Sequence, residues 1–385
     1  MPFKSSLMRS AGKLFGVSNQ EDLDLRGETA ESRWREAVKA TGGTKSTPGD
    51  GYVYHQFYAS VPGTVSFPGG GPYTKTPNTS DTFEALEALT CDVLIIGGGA
   101  GGGHTPSGNT GGGGGGSGAV IYLTGQSLPA TTYPLTVGGG GQANTGTPAS
   151  ANRGDESIFN GSTAYGGGPG GRGAGQEGPG GPGNSPGGWG SGGGGGAGWP
   201  APGGPAGTSG NPAHPGSGTD VPSVPASVYG FGRAGGQGGG DASNLSGGGG
   251  GGGISSVGLV GQSGSNPPGY SQGGAGGAGG DYTIFGTAQG VGGGGAGGSY
   301  SKTGINPPAY NFGGGIMDSR AWPTDMAIYP YPGPIGIPSR FHGLDGTGGG
   351  GTGGSSSPGY VSGAPTTVIE SGRGGCGLVQ IRYPV

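Results

Sequence analysis

Glycine constrains this chain more than any other residue, because it fills 111 of the 385 positions while proline fills 33 more. Much of it stands in unbroken runs, such as residues 111–116, 192–196 and 247–253. Ordering a glycine in a regular element costs roughly 0.5 to 1 kcal/mol more than ordering an alanine. For the whole chain this is on the order of 50 to 100 kcal/mol, which a hydrophobic core cannot supply. Either most of the chain is disordered, or a dense network of backbone hydrogen bonds compensates.

Polyproline-II geometry suits such a network, because it leaves every backbone N–H and C=O free to bond to neighbouring segments. Collagen is excluded, since glycine does not recur at every third position. We therefore predict a mainly β and irregular fold. In this prediction, a thin β-sandwich formed by the two ends of the chain after the N-terminal segment holds a glycine-rich polyproline-II helix bundle between them. A short α-helical docking segment precedes the sandwich.

Charge and apolar patterning exclude several classes of function. Charged residues make up 10% of the chain, the net charge is −4, and the Lys and Arg residues are isolated, so we expect no nucleic-acid partner. The first residues lack the apolar stretch of a secretory signal, and no membrane-spanning stretch is present, which predicts synthesis in a cytoplasm. Cys91 and Cys376 fit neither a disulfide scaffold nor a metal site, and we expect both to stay reduced.

Residues 1–44 differ in composition from the rest and are predicted to form an N-terminal docking segment. Ser5 and Ser6 could cap one short helix, and a second begins at Thr29, extends to Thr41 and stops at Gly42. Two ordinary surface helices packed on their own domain are the alternative, and a membrane-surface helix is disfavoured by its small apolar face. The predicted docking residues are Leu7, Leu14, Phe15 and Trp34.

The remaining chain divides into three parts by composition. Residues 45–165 form a β-rich, glycine-rich domain, with a hairpin over 51–67 and strands at 93–96, 119–123 and 133–137. Residues 166–370 form the Gly/Pro-rich polyproline-II body with aromatic loops. Residues 371–385 supply a closing C-terminal strand, at 378–383.

Motifs that could carry chemistry are weak. Residues 92–102 match the strand and glycine turn of a dinucleotide-binding fold, but no helix and no ribose-binding acid follow. The four histidines are scattered, and no nucleophile, base and acid set can be assembled. We therefore expect no enzyme activity, no catalytic residue, no cofactor and no metal.

Aromatic, proline-stiffened loops are the remaining functional candidates. The pattern Asn-Pro-Pro-x-Tyr occurs at 266–270 and again at 306–310, each time before a glycine pair. Aromatic side chains offer rigid contact area at low entropy cost, although they could equally cover the glycine bundle in place of a core. The candidate receptor-contact residues are Tyr310, Trp322, Tyr329, Tyr331, Phe341 and His342.

Four ordered stretches carry a resemblance to a known class of protein. These are the strand and glycine run at 92–99, the Thr-Tyr-Pro-Leu-Thr-Val element at 132–141, the element at 157–168 and the closing strand at 374–383. Together they resemble the glycine-rich structural and tail-fibre proteins of tailed bacteriophages. The opening residues 1–16 resemble the start of virion structural proteins of marine cyanobacterial phages. The resemblance covers about residues 1–170 and 370–385, and the long Pro-rich middle departs from it.

The resemblance implies a virion appendage, made in the host cytoplasm and oligomeric, with a trimer expected. On this basis the chain is expected to be a tail fibre or adhesin. Its N-terminal segment binds other tail or capsid proteins, and its far end contacts a host surface glycan or outer-membrane protein. The alternative is a capsid decoration or spacer protein with no receptor role. A non-viral glycine-rich wall or ice-binding protein, and an enzyme, are the more distant alternatives.

Overall fold

The computed structural model describes residues 38–59, 78–105, 110–143, 153–173, 190–197, 232–240, 246–262, 271–286, 289–298, 342–343, 345–353, 355–357, 367–369 and 371–385. These residues contain fourteen β-strands and no helix, which confirms the expected mainly β fold. The strands are β1 (Ala40–Thr41), β2 (Thr44–Ser46), β3 (Tyr52–Tyr58), β4 (Asn78–Ala85), β5 (Leu89–Ile96), β6 (Val120–Leu128), β7 (Thr132–Val137), β8 (Ser157–Phe159), β9 (Ser162–Ala164), β10 (Gly280–Tyr282), β11 (Gln289–Val291), β12 (Ser355–Ser357), β13 (Thr367–Ile369) and β14 (Leu378–Pro384).

Two five-stranded antiparallel sheets enclose the main hydrophobic core. One has the strand order β1-β4-β7-β8-β9, and the other has the order β2-β3-β14-β5-β6. The core between them includes Phe83, Phe159 and Tyr383, all with at most 1% of their surface exposed. Aromatic and β-branched residues favour strands that pack in this way. The two sheets therefore form a sandwich.

A second, smaller core lies on the outer face of the sheet that contains β14. There Leu94 and Leu378 pack against Ile254, and the hairpin β10–β11 covers them with Tyr282 and Ile284. Gln380 donates from Nε2 to the carbonyl oxygen of Ile284 over 2.8 Å. This hairpin is thereby fixed to the centre of the sheet.

An ion pair stands beside this second core. Arg382 lies 2.9 Å from Asp92, its guanidinium sits 4.7 Å from the ring centre of Tyr52, and both charged side chains are at least four-fifths buried. Arg382 also donates to the carbonyl oxygen of Thr283, over 3.4 Å. The pair joins β5, β14 and the hairpin loop.

Most of the remaining described residues form thirteen extended glycine-rich segments that are neither helix nor strand. We label them g1 (97–105), g2 (110–119), g3 (138–143), g4 (153–156), g5 (165–173), g6 (190–197), g7 (232–240), g8 (246–253), g9 (257–262), g10 (271–279), g11 (292–298), g12 (348–353) and g13 (371–377). Backbone hydrogen bonds of about 2.7 to 3.3 Å connect them side by side. We refer to this assembly as the glycine array.

Hydrogen bonding in the array repeats every three residues. In g2, the N–H groups of Gly113, Gly116 and Ala119 all donate to g5. Those of Gly114 and Ser117 donate to g8, and those of Gly115 and Gly118 donate to g12. Successive residues thus bond to different neighbours, so each segment can be surrounded on all sides. A strand, whose residues alternate between two directions, cannot do this.

Three segments are completely enclosed. Each of g1, g2 and g8 exchanges hydrogen bonds with six neighbours, and the neighbours bond to one another in closed rings. These rings share members, which places the segments in three layers. The layer orders are g4-g5-g6-g7, then g3-g1-g2-g8-g9, then g13-g12-g11-g10. The array is therefore a hexagonally packed block with three segments in its interior.

Glycine is required there by steric contact with backbone. A Cβ atom added at Gly113, Gly114 or Gly115 would collide with the carbonyl oxygen of Gly194, Gly295 or Ala100, respectively. Apart from a few residues such as Ala100 and Ser117, the interior consists of peptide groups. Its hydrogen bonds take the place of a hydrophobic core.

The sandwich and the array share their chain segments. Strand β5 runs into g1, g2 runs into β6, β7 into g3, g4 into β8, β9 into g5, and g13 into β14. The neighbour order is kept, since β14-β5-β6 becomes g13-g1-g2 and β7-β8-β9 becomes g3-g4-g5. The array is a direct continuation of the two sheets.

The strand predictions at 93–96, 119–123, 133–137 and 378–383 are confirmed by β5, β6, β7 and β14. The second predicted helix, however, cannot extend to Thr41. Ala40 is fully buried and pairs with Ala85 in β1–β4, and Gly42 begins a turn with a positive φ of 110°. Helical spacing was misleading there: Val38 and Thr41, expected on the apolar face, are exposed, and Ala40 between them is the residue that the sheet buries.

The hairpin expected over 51–67 is described only in its first half. Strand β3 is present, and it pairs with β2 on one side and with β14 on the other. The second half, residues 65–67, lies outside the described residues.

Candidate functional site

The end of the array away from the sheets is where the chain enters and leaves most of its segments. We call it the apical end. Segments g1, g3, g7, g9 and g12 run outward and finish there, and the next segments along the chain, g2, g4, g8, g10 and g13, begin there. The paired strands β12 and β13 follow g12 and precede g13 at this end. Of the described residues, those nearest the apical end are the natural candidates for contact with a partner.

The apical residues are mainly hydroxyl- and amide-bearing. Thr105 donates from Oγ1 to the carbonyl oxygen of Thr110 over 2.7 Å, joining g1 to g2. Thr110 and Ser246 form a parallel bridge between g2 and g8, and Gln262 and Gln272 form an antiparallel one between g9 and g10. These contacts close the array where its glycine runs end. Arg153 and Arg172 supply positive charge at the same end.

The sequence had not singled these residues out. A signal was nevertheless present, because polar residues end the glycine-rich segments at 104–105, 142 and 262. Such interruptions mark the places where the array stops and side chains again have room. They cannot by themselves indicate which interruptions meet at one end.

The predicted site residues fall almost entirely outside the described part of the chain. The docking residues Leu7, Leu14, Phe15 and Trp34 lie there, as do Tyr310, Trp322, Tyr329, Tyr331 and Phe341. His342 is the one candidate that the structure describes. Its receptor-contact role stays a prediction.

His342, with residues 343, 345 and 346, lies against g12 and g13. Its Nδ1 accepts the backbone N–H of Arg373 over 3.0 Å. Burial, together with the charge of Arg373, lowers the pKa of His342 to about 4. Asp345 pairs with Arg373 at 3.3 Å and also accepts the N–H of Cys376. The imidazole is therefore neutral and engaged in the fold at ordinary pH.

The glycine sequence that matches a dinucleotide-binding turn is an interior segment of the array. Around Gly98, Gly99 and Gly102, the space that a Cβ would occupy is filled by carbonyl groups of g3 and g12. A pyrophosphate needs open space beside the same glycines. Residues 97–102 therefore have a packing role in this fold.

The two cysteines lie at opposite ends of the paired strands. Cys376 precedes Leu378, which pairs with Ile96, whereas Cys91 lies near the other end of β5. The register separates them by about seven strand positions, or roughly 23 Å, beyond the reach of a disulfide. Both thiols are buried, and neither forms a disulfide. Burial, followed by the charge of Asp92, raises the pKa of Cys91 to about 12. These observations agree with the expectation that both stay reduced.

Within the described ranges, no group of three or more His, Cys, Asp or Glu side chains is placed to hold a metal ion. His55 is fully buried, with Nδ1 2.7 Å from the carbonyl oxygen of Gly42 and Nε2 3.2 Å from the hydroxyl of Tyr383. Nδ1 must donate to that carbonyl, so Nε2 accepts from the tyrosine. Burial lowers the pKa of His55. Its role is to bind the β1–β2 turn to β14.

The same part of the chain contains no helix that is both long and apolar enough to pass through a bilayer. Comparison of the sequence with protein-family models and with curated proteins finds no match.

Proposed function

We propose that this chain is a structural component of a phage virion, a tail fibre or adhesin that projects from the particle and contacts the host cell surface. One observation carries the proposal. Five pairs of consecutive array segments meet at the apical end, whereas residue 38, where the N-terminal segment joins the body, lies at the opposite end of the sandwich. This arrangement suits a protein that is attached to the particle at one end and contacts the host at the other.

In the proposal, the glycine segments are polyproline-II helices. The three-residue repeat of their hydrogen bonds and the absence of positive φ at interior glycines such as Gly113 and Gly114 support this geometry. The N-terminal segment is helical and binds other tail or capsid proteins. The protein is a homo-oligomer, with a trimer expected, and it acts without catalysis or cofactor.

The contact residues in the proposal are Tyr310, Trp322, Tyr329, Tyr331, Phe341 and His342. Thr105, Thr110 and Ser246 are buried. The exposed amide of Gln262 and the half-buried amide of Gln272 could bond to an uncharged partner, such as a glycan or a loop of an outer-membrane protein. Proline-stiffened loops lose little entropy on binding.

Adsorption competition tests the proposal. Purified protein should block adsorption of the phage to its host, and the Tyr329→Ala, Tyr331→Ala double variant should block less well at an unchanged melting temperature. Antibodies against the chain should label intact particles. If particles are labelled but neither protein affects adsorption, the decoration or spacer alternative holds. Unlabelled particles would refute a virion role altogether.

Attachment through the N-terminal segment can be tested separately. A chain that lacks residues 1–37 retains β1 and every other described strand, so it should fold. It should also fail to assemble on particles. Normal incorporation of the shortened chain would contradict the assignment.

A further inference from the structure

The end of the sandwich opposite the array, which we call the base, exposes apolar side chains. Val38, Leu86 and Val385 are 53%, 49% and 51% exposed. The other large hydrophobic residues that are comparably exposed in the described chain, Val257, Leu259 and Val260, lie on g9 in the array. The base therefore carries an apolar patch of its own.

Backbone and side-chain contacts bring the three base residues together. The N–H of Leu86 donates to the carbonyl oxygen of Lys39 over 2.9 Å, so Leu86 lies beside the residue that follows Val38. The ammonium group of Lys39 reaches the carbonyl oxygen of Pro384, 3.4 Å away, and Val385 is the next residue. The patch thus bridges both sheets at the point where the chain enters the body.

The chain itself supplies an occupant for this patch. Thirty-seven residues precede Val38, and their sequence predicts an amphipathic helix from Thr29 that presents Trp34 and Ala37 on its apolar side. Trp34 is four residues from Val38, a rise of about 6 Å along a helix. A covalently adjacent group reaches the patch at a high effective concentration, which a second copy of the chain does not have.

We infer that residues 29–37 fold back onto the base and that Trp34 packs against Leu86 and Val385. The N-terminal segment would then leave the body in a fixed direction instead of through a free linker. This inference goes beyond the proposed function, because it concerns contacts within one chain and holds whether or not the protein is part of a virion.

Fluorescence of Trp34 in the full chain tests the inference. The variant W189F/W199F/W322F keeps Trp34 as its only tryptophan. Its emission should be blue-shifted, and acrylamide should quench it weakly. Adding L86S and V385S should raise the quenching constant several-fold, while the matched pair V257S and V260S on g9 should leave it unchanged. Equal quenching with and without L86S/V385S would overturn the inference.

Dilution and hydrogen exchange distinguish a contact within one chain from a contact between two copies. Protection of Trp34 should not change on hundredfold dilution, and loss of protection on dilution would show that a second copy occupies the patch, which overturns the inference. Should the triple tryptophan variant not fold, hydrogen exchange decides. In the otherwise unaltered chain, Trp34→Ser should speed exchange of the Leu86 and Val385 amides, and unchanged exchange would contradict the contact.

Discussion

At the scale of single residues, interior glycines of the array tolerate no side chain. Gly115 donates to Gly351 and accepts from Gly295, and a Cβ on it would collide with the carbonyl oxygen of Ala100. Gly115→Ala should therefore lower the free energy of unfolding by about 3 kcal/mol or more. Gly280→Ala is the control, because its Cβ would meet only side-chain atoms, the nearest at 3.3 Å. We expect it to change stability by less than about 1 kcal/mol in urea unfolding. Equal effects would contradict an enclosed g2.

The buried histidines make stability depend on pH. His342 has a pKa of about 4, and burial also lowers the pKa of His55. Below about pH 6.5 the unfolded chain therefore binds protons at histidines that the folded chain keeps neutral. Their contribution is complete above about pH 6.5. It is lost as the pH falls, by at most about 1.4 kcal/mol per pH unit for each histidine.

His342→Gln tests this dependence. The variant should lose less stability than the unaltered protein between pH 6.5 and 4.5 in urea titrations. Asp155, whose pKa burial raises, acts in the opposite direction and is common to both proteins. The same slope in both proteins would show that His342 titrates normally.

At the scale of elements, the junction between sheets and array depends on one hydroxyl group. Ser157 in β8 is fully buried, donates to the carbonyl oxygen of Ile96 over 2.6 Å and accepts the N–H of Gly138 over 2.9 Å. Ser157→Ala removes the hydroxyl from both backbone groups and should cost about 1 to 3 kcal/mol. Ser127→Ala, on the exposed side of β6, should cost little. Thermal unfolding distinguishes the two, and equal melting temperatures would show that water replaces the hydroxyl.

The strands that sequence predicted share one property. β5 and β14 are continuous apolar or alternating runs beside glycine, and their burial is visible in their composition. β4 was missed because Asn-Thr-Ser-Asp-Thr-Phe-Glu-Ala contains one large apolar residue, Phe83. Tertiary contacts with Tyr133 and Phe159 make it a strand.

The arrangement of the glycine segments is the part that sequence could not provide. Register in a sheet is read from side chains that must face a core, and a run such as 111–116 has none. Composition alone predicted that the glycine runs would form hydrogen bonds with one another. Which of them would meet, as g2 meets g8 across more than a hundred residues, is decided by the strands that feed the array and by the polar residues that end it.

At the scale of the whole molecule, sandwich and array should unfold together. Strands and segments are continuous at six places, so neither part can lose its order without fraying the other. We expect near-ultraviolet circular dichroism, which monitors the aromatic core, and hydrogen exchange of g2 amides to give the same denaturant midpoint. An array that exchanges at lower denaturant than the sheets lose their dichroism would contradict this coupling.

The orientation of the hydrogen bonds also determines how the molecule carries mechanical load. All thirteen segments run along the direction that leads from the sheets to the apical end, and their bonds lie across that direction. A pull along the long axis therefore shears many bonds at once, whereas a pull across it would open them one after another, as in a zipper. The molecule should therefore resist tension between its two ends more strongly than a force applied from the side. The array thus bears tension along its segments through many peptide hydrogen bonds that are loaded together.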